Sequence, residues 1–271
     1  MKRSTLDILC CPHCQAGLRL RDEPGDGVVT EGELLCSGCG SSFVIESGIP
    51  GFISPEQLGD LNRRFTRFYN WFSRFETACN RASFLPMGGE RKARMEVLGR
   101  LDLHGGRVLE VSIGSGGNLP YLLELPGVGD VYGLDISQGQ LSRCRSLTAA
   151  RGWSVDLVLA AAESMPFKSE SFDCVLHIGG INFFSEKKRA IEEMIRVARP
   201  GSKIVIADES ERLARLIARI PGVAGARGTR DADVSMPVRF VPDTMERIRV
   251  DGIWRVHGQY HGYCLEVVKP A

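Results

Sequence analysis

Two cysteine pairs, Cys11-Pro12-His13-Cys14 and Cys36-Ser37-Gly38-Cys39, have the spacing that turns two thiolates onto one metal ion. The stretch between the pairs is long enough for a hairpin, so four sulfurs can converge on a tetrahedral zinc. Four thiolates close the coordination shell and leave no position for water, which makes such a zinc structural rather than catalytic. Cys10 adjoins the first pair as an alternative ligand; the two-residue spacing to Cys14 favours Cys11. His13, inside the knuckle, reads as an exposed or supporting side chain rather than a ligand. A second set of residues suits different chemistry. The run Arg107-Val-Leu-Glu-Val-Ser112 leads into Ile113-Gly114-Ser115-Gly116-Gly117, a turn in which backbone can approach a ligand closely. Asp135 ends the next apolar run, where a carboxylate can accept both hydroxyls of a ribose. Glycines with a downstream acid also describe dinucleotide sites, but this turn lacks the G-x-G-x-x-G order.

These groups need elements to hold them. Residues 5–53 read as a ribbon: Leu18 and Leu20 alternate with polar residues, Glu23-Pro24-Gly25-Asp26-Gly27 is a turn, and Val28–Thr30, Glu33–Leu35 and Phe43–Ile45 are strands. With so few large apolar groups its core is marginal, and the metal would supply the missing stability. Beyond residue 100 strands and helices alternate. Strands are expected at 107–112, 130–135, 155–159, 172–178 and 203–207. One helix runs through about residue 150; another, with Ile191, Met194, Ile195 and Ala198, stops at Pro200-Gly201. Trp254 to Val268 reads as a closing antiparallel hairpin. This alternation predicts an α/β fold with a doubly wound, mostly parallel sheet. The boundaries expected are a zinc ribbon over 1–54, a helical linker or lid over 55–100 and the large domain over 101–271.

The 271 residues are 43% hydrophobic and 25% charged, the profile of an ordinary globular protein. No apolar run approaches the length of a membrane span, and the start lacks a secretory leader's apolar core. Nine cysteines, an odd number with four in metal spacing, suit a reducing compartment, so the cytoplasm is the expected location. Net charge is +1, which excludes a strong overall attraction to polyanions. Residues 1–54 hold four basic groups against seven acidic ones, while 61–107 hold ten against four.

Two resemblances emerge from motifs in order. Leu6-Asp-Ile-Leu-x-Cys-Pro-x-Cys, then Cys-x-x-Cys-Gly, then Phe43-Val-Ile-x-x-Gly48-Ile49-Pro50-x-Phe52 resembles the short zinc-ribbon proteins that activate methyltransferases. Glu110-x-x-x-Gly114-x-Gly116, Gly133-Leu-Asp135-Ile-Ser137, Ala162-Glu163-Ser-Met-Pro166-Phe167, Ser171-Phe172-Asp173-x-Val175 and Arg196-Val-Ala-Arg-Pro200-Gly201 together resemble class I S-adenosylmethionine-dependent methyltransferases. The branch is that of the ubiquinone/menaquinone biosynthesis enzymes. The resemblance implies a seven-stranded Rossmann-like sheet and S-adenosylmethionine as cofactor, beside structural zinc on Cys11, Cys14, Cys36 and Cys39. It places Glu110, Gly114 and Gly116 around the methionine end, Asp135 on the ribose, and Ile136, Ala162 and Glu163 at the adenine. Ile178 then lies near the methionine moiety. Two positions depart from the family: Ser112 stands where glycine is usual, and Ala161 where an aspartate commonly reaches the adenine amino group.

For any deprotonation of the acceptor, His177, one residue from the end of the fourth strand, ranks first as the base; a plain strand histidine is the bland alternative. His257, Tyr260, His261 and Tyr263 are lesser candidates for the acceptor pocket, with Asn182-Phe183-Phe184 as pocket wall. Leu61, Phe65, Phe68, Phe72 and Phe75 fall on one helical stripe opposite Arg63, Arg67 and Arg74. The plainest reading is a lid; a peripheral membrane contact through residues 61–76 and an RNA-holding surface are the alternatives. Leu213, Leu216, Ile217 and Ile220 offer a second lid element, and Pro221 to Pro242 a loop near the acceptor. The expected acceptor is a small molecule or a lipid-like one such as a quinone. RNA ranks second, set back by the acidic ribbon and by His177-Ile178-Gly179-Gly180 standing where amino-group methylation shows Asn-Pro-Pro-Tyr.

Overall fold

The computed structural model describes residues 1–21, 27–53, 84–217 and 236–271. The stripe over 61–76 and most of the Pro221–Pro242 segment lie outside them.

The ribbon is a four-stranded antiparallel sheet of β1 (Leu18–Leu20), β2 (Gly32–Cys36), β3 (Ser42–Glu46) and β4 (Ile49–Pro50), in that order. In β3 the alternation is clean: Phe43 and Ile45 are buried while Ser42, Val44 and Glu46 face out. Val28–Thr30 forms no strand of its own. Val28 makes one bridge with Lys2, and the Val29 amide donates to the Met1 carbonyl at 2.8 Å, so the chain's own start takes up this edge.

The large sheet has β5 (Val108–Val111), β6 (Val131–Asp135), β7 (Val155–Leu159), β8 (Phe172–Ile178), β9 (Ala198–Glu209), β10 (Glu246–Val256) and β11 (Gln259–Val268). Their order is β10-β11-β9-β8-β5-β6-β7. β5 to β9 pair in parallel, and the β10–β11 hairpin joins antiparallel at β9, giving the mostly parallel seven-stranded sheet expected. The helices are α1 (Glu90–Leu98), α2 (Leu119–Leu122), α3 (Gln138–Arg151), α4 (Lys187–Val197) and α5 (Glu211–Ile217). One boundary differs from expectation. α4 ends at Val197, and Ala198 is already extended and paired with Phe172; β9 then runs through Pro200-Gly201 with a register shift. Strand pairing prevails over the local helix-stop signal there.

Leu98, Leu119, Leu122 and Leu141 cover one sheet face over Val108, Leu157 and Leu176. The other face holds α4 at one end and the ribbon at the other. Residues 160–171, between β7 and β8, contain no helix, and ribbon side chains fill that place. Leu9, Leu34, Phe43, Ile45 and Phe52 share a single core with Leu109, Tyr132, Leu134, Val158 and Phe167. Backbone bonds stitch the two together. Gly51 bridges Leu159 in parallel, the Phe52 amide donates to the Leu159 carbonyl at 2.8 Å, and Cys10 and Lys168 amides donate to Pro166 and Ile8 carbonyls. Asp156 of β7, buried, accepts from the Lys2 amide at 2.7 Å and the Thr5 hydroxyl at 2.8 Å. The β7 edge is therefore covered rather than left open for stray pairing.

Candidate active site and metal centre

The two knuckles bring Cys11, Cys14, Cys36 and Cys39 together, with all four sulfurs within 4.8 Å of one another. The Cys11–Cys39 and Cys14–Cys36 separations are 3.7 and 3.4 Å. A tetrahedron with Zn–S bonds of about 2.3 Å has edges of about 3.8 Å, so the donor set matches zinc in type and size. Gly38 is needed here: a Cβ on it would stand 2.7 Å from the Ala16 Cβ. The Gly38 and Cys39 amides donate to the Cys36 sulfur. Cys10 is buried outside the quartet with its thiol 3.2 Å from Gln15 Oε1, and His13 is exposed, with Nδ1 3.3 Å from the Ser41 hydroxyl.

The second site lies at the carboxyl ends of β5, β6 and β8. The chain runs outward from β5 to β7 and then resumes at β8 on the other side of β5, which opens a crevice between β5 and β8. Ser112 takes φ +60°, in the left-handed region that glycine adopts freely, which accounts for the family's usual glycine at this position. Gly116 (φ +85°) lies against α3, where a Cβ would meet the Cys144 sulfur at 2.9 Å. Around Gly114 a Cβ would meet nothing within 4 Å, so this side of the turn is open to a ligand.

Asp135 braces the turn: Oδ2 accepts from the Gly114 amide at 2.8 Å and Oδ1 from the Ser137 amide at 2.9 Å. Ile136, partly buried, follows directly. Glu110 is 1% exposed; its Oε1 accepts from Asn118 Nδ2 at 2.6 Å, while Oε2 has no partner. Asn118 Oδ1 accepts from Arg94, whose Nε also reaches Glu90, and the guanidinium lies over the Phe84 ring. Burial pushes the Glu110 carboxyl up to about 7, against the pull of Asn118 and Arg94. The orphaned oxygen matches the ammonium of an amino-acid moiety, and with the open Gly114 side the residues fit the methionine end of S-adenosylmethionine.

Ala162 is buried in the loop after β7, and Ser164 of that loop donates to the Pro12 carbonyl of the first knuckle at 3.3 Å. Glu163 turns its carboxylate to the Ser185 and Glu186 amides at the start of α4. Ile178 is partly buried at the end of β8. His177 is fully buried, its Nδ1 2.9 Å from the Val111 carbonyl and its Nε2 without a partner; burial lowers its pKa. Of the four hairpin candidates only Tyr263 is buried. His257 and Tyr260 are exposed and His261 is partly so. Asn182 accepts from Lys187 Nζ at 3.2 Å, and the Phe184 ring lies 5.1 Å from that of His177. Three supporting residues escaped the sequence reading: Arg94, Asn118 and Asp208. Asn118 closes the glycine turn and Asp208 ends an apolar run, signals of the kind that singled out Asp135.

The fold and this site define a class I S-adenosylmethionine-dependent methyltransferase domain behind a zinc-ribbon cysteine cluster. Residues 109–206 match the methyltransferase domain family, and residues 2–48 the Trm112p-like protein family. The phthiotriol/phenolphthiotriol dimycocerosates methyltransferase of Mycobacterium tuberculosis is 37% identical over 109 residues, 40% of each chain. The ubiquinone/menaquinone biosynthesis C-methyltransferase UbiE of Geobacter sulfurreducens is 32% identical over 119 residues, 43% of this chain and 46% of that one. The match thus spans less than half the length of these curated relatives. Among solved structures, a chain from the complex of the Haloferax volcanii Trm112 methyltransferase activator aligns with TM-score 0.52 and 18% identity, covering 76% of this chain and 98% of that one. The cyclase SpnF aligns with TM-score 0.58 and 18% identity, covering 83% and 100%. Both likenesses concern the fold alone.

Proposed function

We propose that this chain transfers a methyl group from S-adenosylmethionine to a small-molecule or lipid-like acceptor, with zinc bracing the ribbon. The observation that carries the reading is the glycine turn of a methyltransferase domain with the unpartnered, buried Glu110 Oε2 behind it. Bound S-adenosylmethionine supplies an electrophilic methyl carbon on a sulfonium, so the protein's work is mostly positioning. Glu110 holds the ammonium, Asp135 the ribose, and Ile136 and Ala162 flank the adenine. His177 takes the acceptor's proton where the chemistry requires it. Cys11, Cys14, Cys36 and Cys39 hold the zinc, and the knuckle supports the Ala162–Pro166 loop through Pro12 and Cys10. The matched relatives are named as a phthiotriol/phenolphthiotriol dimycocerosates methyltransferase and a ubiquinone/menaquinone biosynthesis C-methyltransferase, which favours an acceptor with an apolar body. The eight free cysteines among the described residues suit a reducing compartment, and we assign the chain to the cytoplasm.

Titration calorimetry with S-adenosylhomocysteine tests the reading. Wild type is expected to bind and Asp135→Ala to bind at least tenfold more weakly while keeping its fold by circular dichroism. Absence of binding to wild type, or equal binding by the two, would reject it.

A further inference from the structure

We infer that Trp254 and Arg94 are positioning residues for the cofactor's amino-acid end: Trp254 fixes α1, and Arg94 on α1 orients Asn118 so that one Glu110 oxygen is left for the ammonium. This rests on the methyltransferase reading and adds the C-terminal hairpin to the machinery of cofactor binding. A guanidinium can only donate, so the Asn118 oxygen that accepts from Arg94 Nη1 fixes which way the amide points. Its Nδ2 then faces Glu110 and donates to Oε1 at 2.6 Å. With Oε1 taken, the buried Oε2 is the oxygen without a partner. Without Arg94 the amide can turn its oxygen toward Glu110, which suits a protonated carboxyl and repels an ionised one. Arg94 is itself built in. It is buried, Glu90 one turn earlier accepts from Nε at 2.9 Å, and a Cβ on Gly117 would stand 2.9 Å from Nη2.

The far edge of the sheet holds α1 in place. The Trp254 indole N–H donates to the Ala93 carbonyl at 3.0 Å, and the Trp254 amide donates to Glu96 Oε2 at 3.2 Å. Ala93 is the residue before Arg94. Trp254 takes φ +55°, rare for so bulky a side chain, and such strain persists only where the surroundings enforce it. Gly262, on the neighbouring strand, makes room for the ring, because a Cβ there would collide with it. Ile253 packs in one cluster with Ala93 and Val97 of α1. Arg100, two residues past α1, donates to Asp251 of β10 at 2.7 Å and to Glu266 of β11 at 2.8 Å. The hairpin thus grips α1 at Ala93, at Glu96 and just beyond its end, while Arg94 and Glu90 meet the glycine turn. The charged and titratable groups around Glu110 are Arg94 with its partner Glu90 on α1, Asp135 on β6 and the Cys144 thiol on α3, which burial keeps neutral. Arg94 is the cation of this set. Losing it favours the protonated acid, which offers an ammonium no charge.

Calorimetry of the full chain with S-adenosylhomocysteine, from pH 6 to pH 8, tests the relay. Wild type is expected to bind more tightly as Glu110 ionises, with a midpoint at about 7. Arg94→Met should raise that midpoint by about one unit, so its loss of affinity shrinks from about tenfold at pH 6 to about twofold at pH 8. Arg94→Lys restores a donor and a charge and should bring the midpoint back. Trp254→Phe keeps a ring over Gly262 but removes the N–H; it should bind about threefold more weakly at pH 7, with its midpoint moved upward too. Added to Arg94→Met, the Trp254→Phe change should cost nothing further, because the contact through which it acts is gone. Weaker binding with an unmoved midpoint would mark the residues as merely structural and overturns the inference, as do losses that simply add in the double variant. Should Arg94→Met fail to fold by circular dichroism, the midpoint of Trp254→Phe decides alone. Wild type separates the two failures: binding with unmoved midpoints in the variants removes the relay, and no binding at any pH removes the methyltransferase reading as well.

Discussion

At the scale of single residues, Glu110 is where structure and function pull in opposite directions. Its carboxyl ionises at about 7 in the fold, against 4.5 for an ordinary glutamate, because burial opposes the charge. Between those values the folded state keeps a proton that the unfolded state has lost. Stability therefore falls as pH rises through this window and is flat above it, a loss of roughly 3 kcal/mol in all. Glu110→Gln stays neutral, so its stability relative to wild type should improve from pH 5 to pH 8. The same variant should bind S-adenosylhomocysteine at least tenfold more weakly, having lost the charge that faces an ammonium. Thermal melts at the two pH values, with calorimetry beside them, check both halves; a stability difference that does not change with pH would show that Glu110 is not the titrating group. Glu110 itself was legible in the sequence, as were the four cysteines, because each belongs to a short local pattern. Arg94 and Asn118 were not: their roles exist only once α1 folds against the glycine turn, 24 residues away along the chain.

At the scale of elements, the ribbon acts as the missing second layer of the sheet. The sequence showed its strands but not its docking, since nothing local says that Leu9 will lie against Phe167 or Gly51 against Leu159. The absence of a helical pattern between Leu159 and Phe172 was the available clue, and it becomes meaningful only when the sheet face it leaves bare is known. The misplaced end of α4 has a similar cause, because pairing with β8 draws Ala198 into a strand. A shared core predicts shared unfolding. Removing zinc with a chelator, or replacing Cys36 by Ser, should lower the melting temperature of the whole chain in one transition. Leu9→Ala, which empties a fully buried position in that core, should cost about 2–5 kcal/mol in the same transition. Calorimetric scans that resolve a separate early melting of the ribbon, with the sheet's transition unmoved, would show that the two parts are independent.

For the whole molecule, the arrangement of charge bears on what the proposed methyl acceptor can be. A nucleic-acid enzyme gains much of its affinity from releasing counterions, which demands a continuous basic surface. Here the net charge is +1 and the ribbon end carries three more acidic than basic groups. At the carboxyl end of the sheet, by contrast, Val111, Ile206 and Leu265 are buried apolar residues on the face that carries His177 and Tyr263. Burying an apolar body there yields about 25 cal/mol for each Å² removed from water, a gain that salt does not weaken. Tritiated methyl transfer should therefore label an organic-solvent extract of cell material and leave purified RNA unlabelled, and a polyanion such as heparin should change the rate little. Raising salt from low to physiological strength should likewise leave the apparent acceptor affinity within about twofold, whereas an acceptor held by six or more phosphate contacts would lose about a thousandfold. Label confined to RNA, with inhibition by heparin and a steep salt dependence, would reverse the ranking and place the acceptor surface on the basic segment beyond the ribbon.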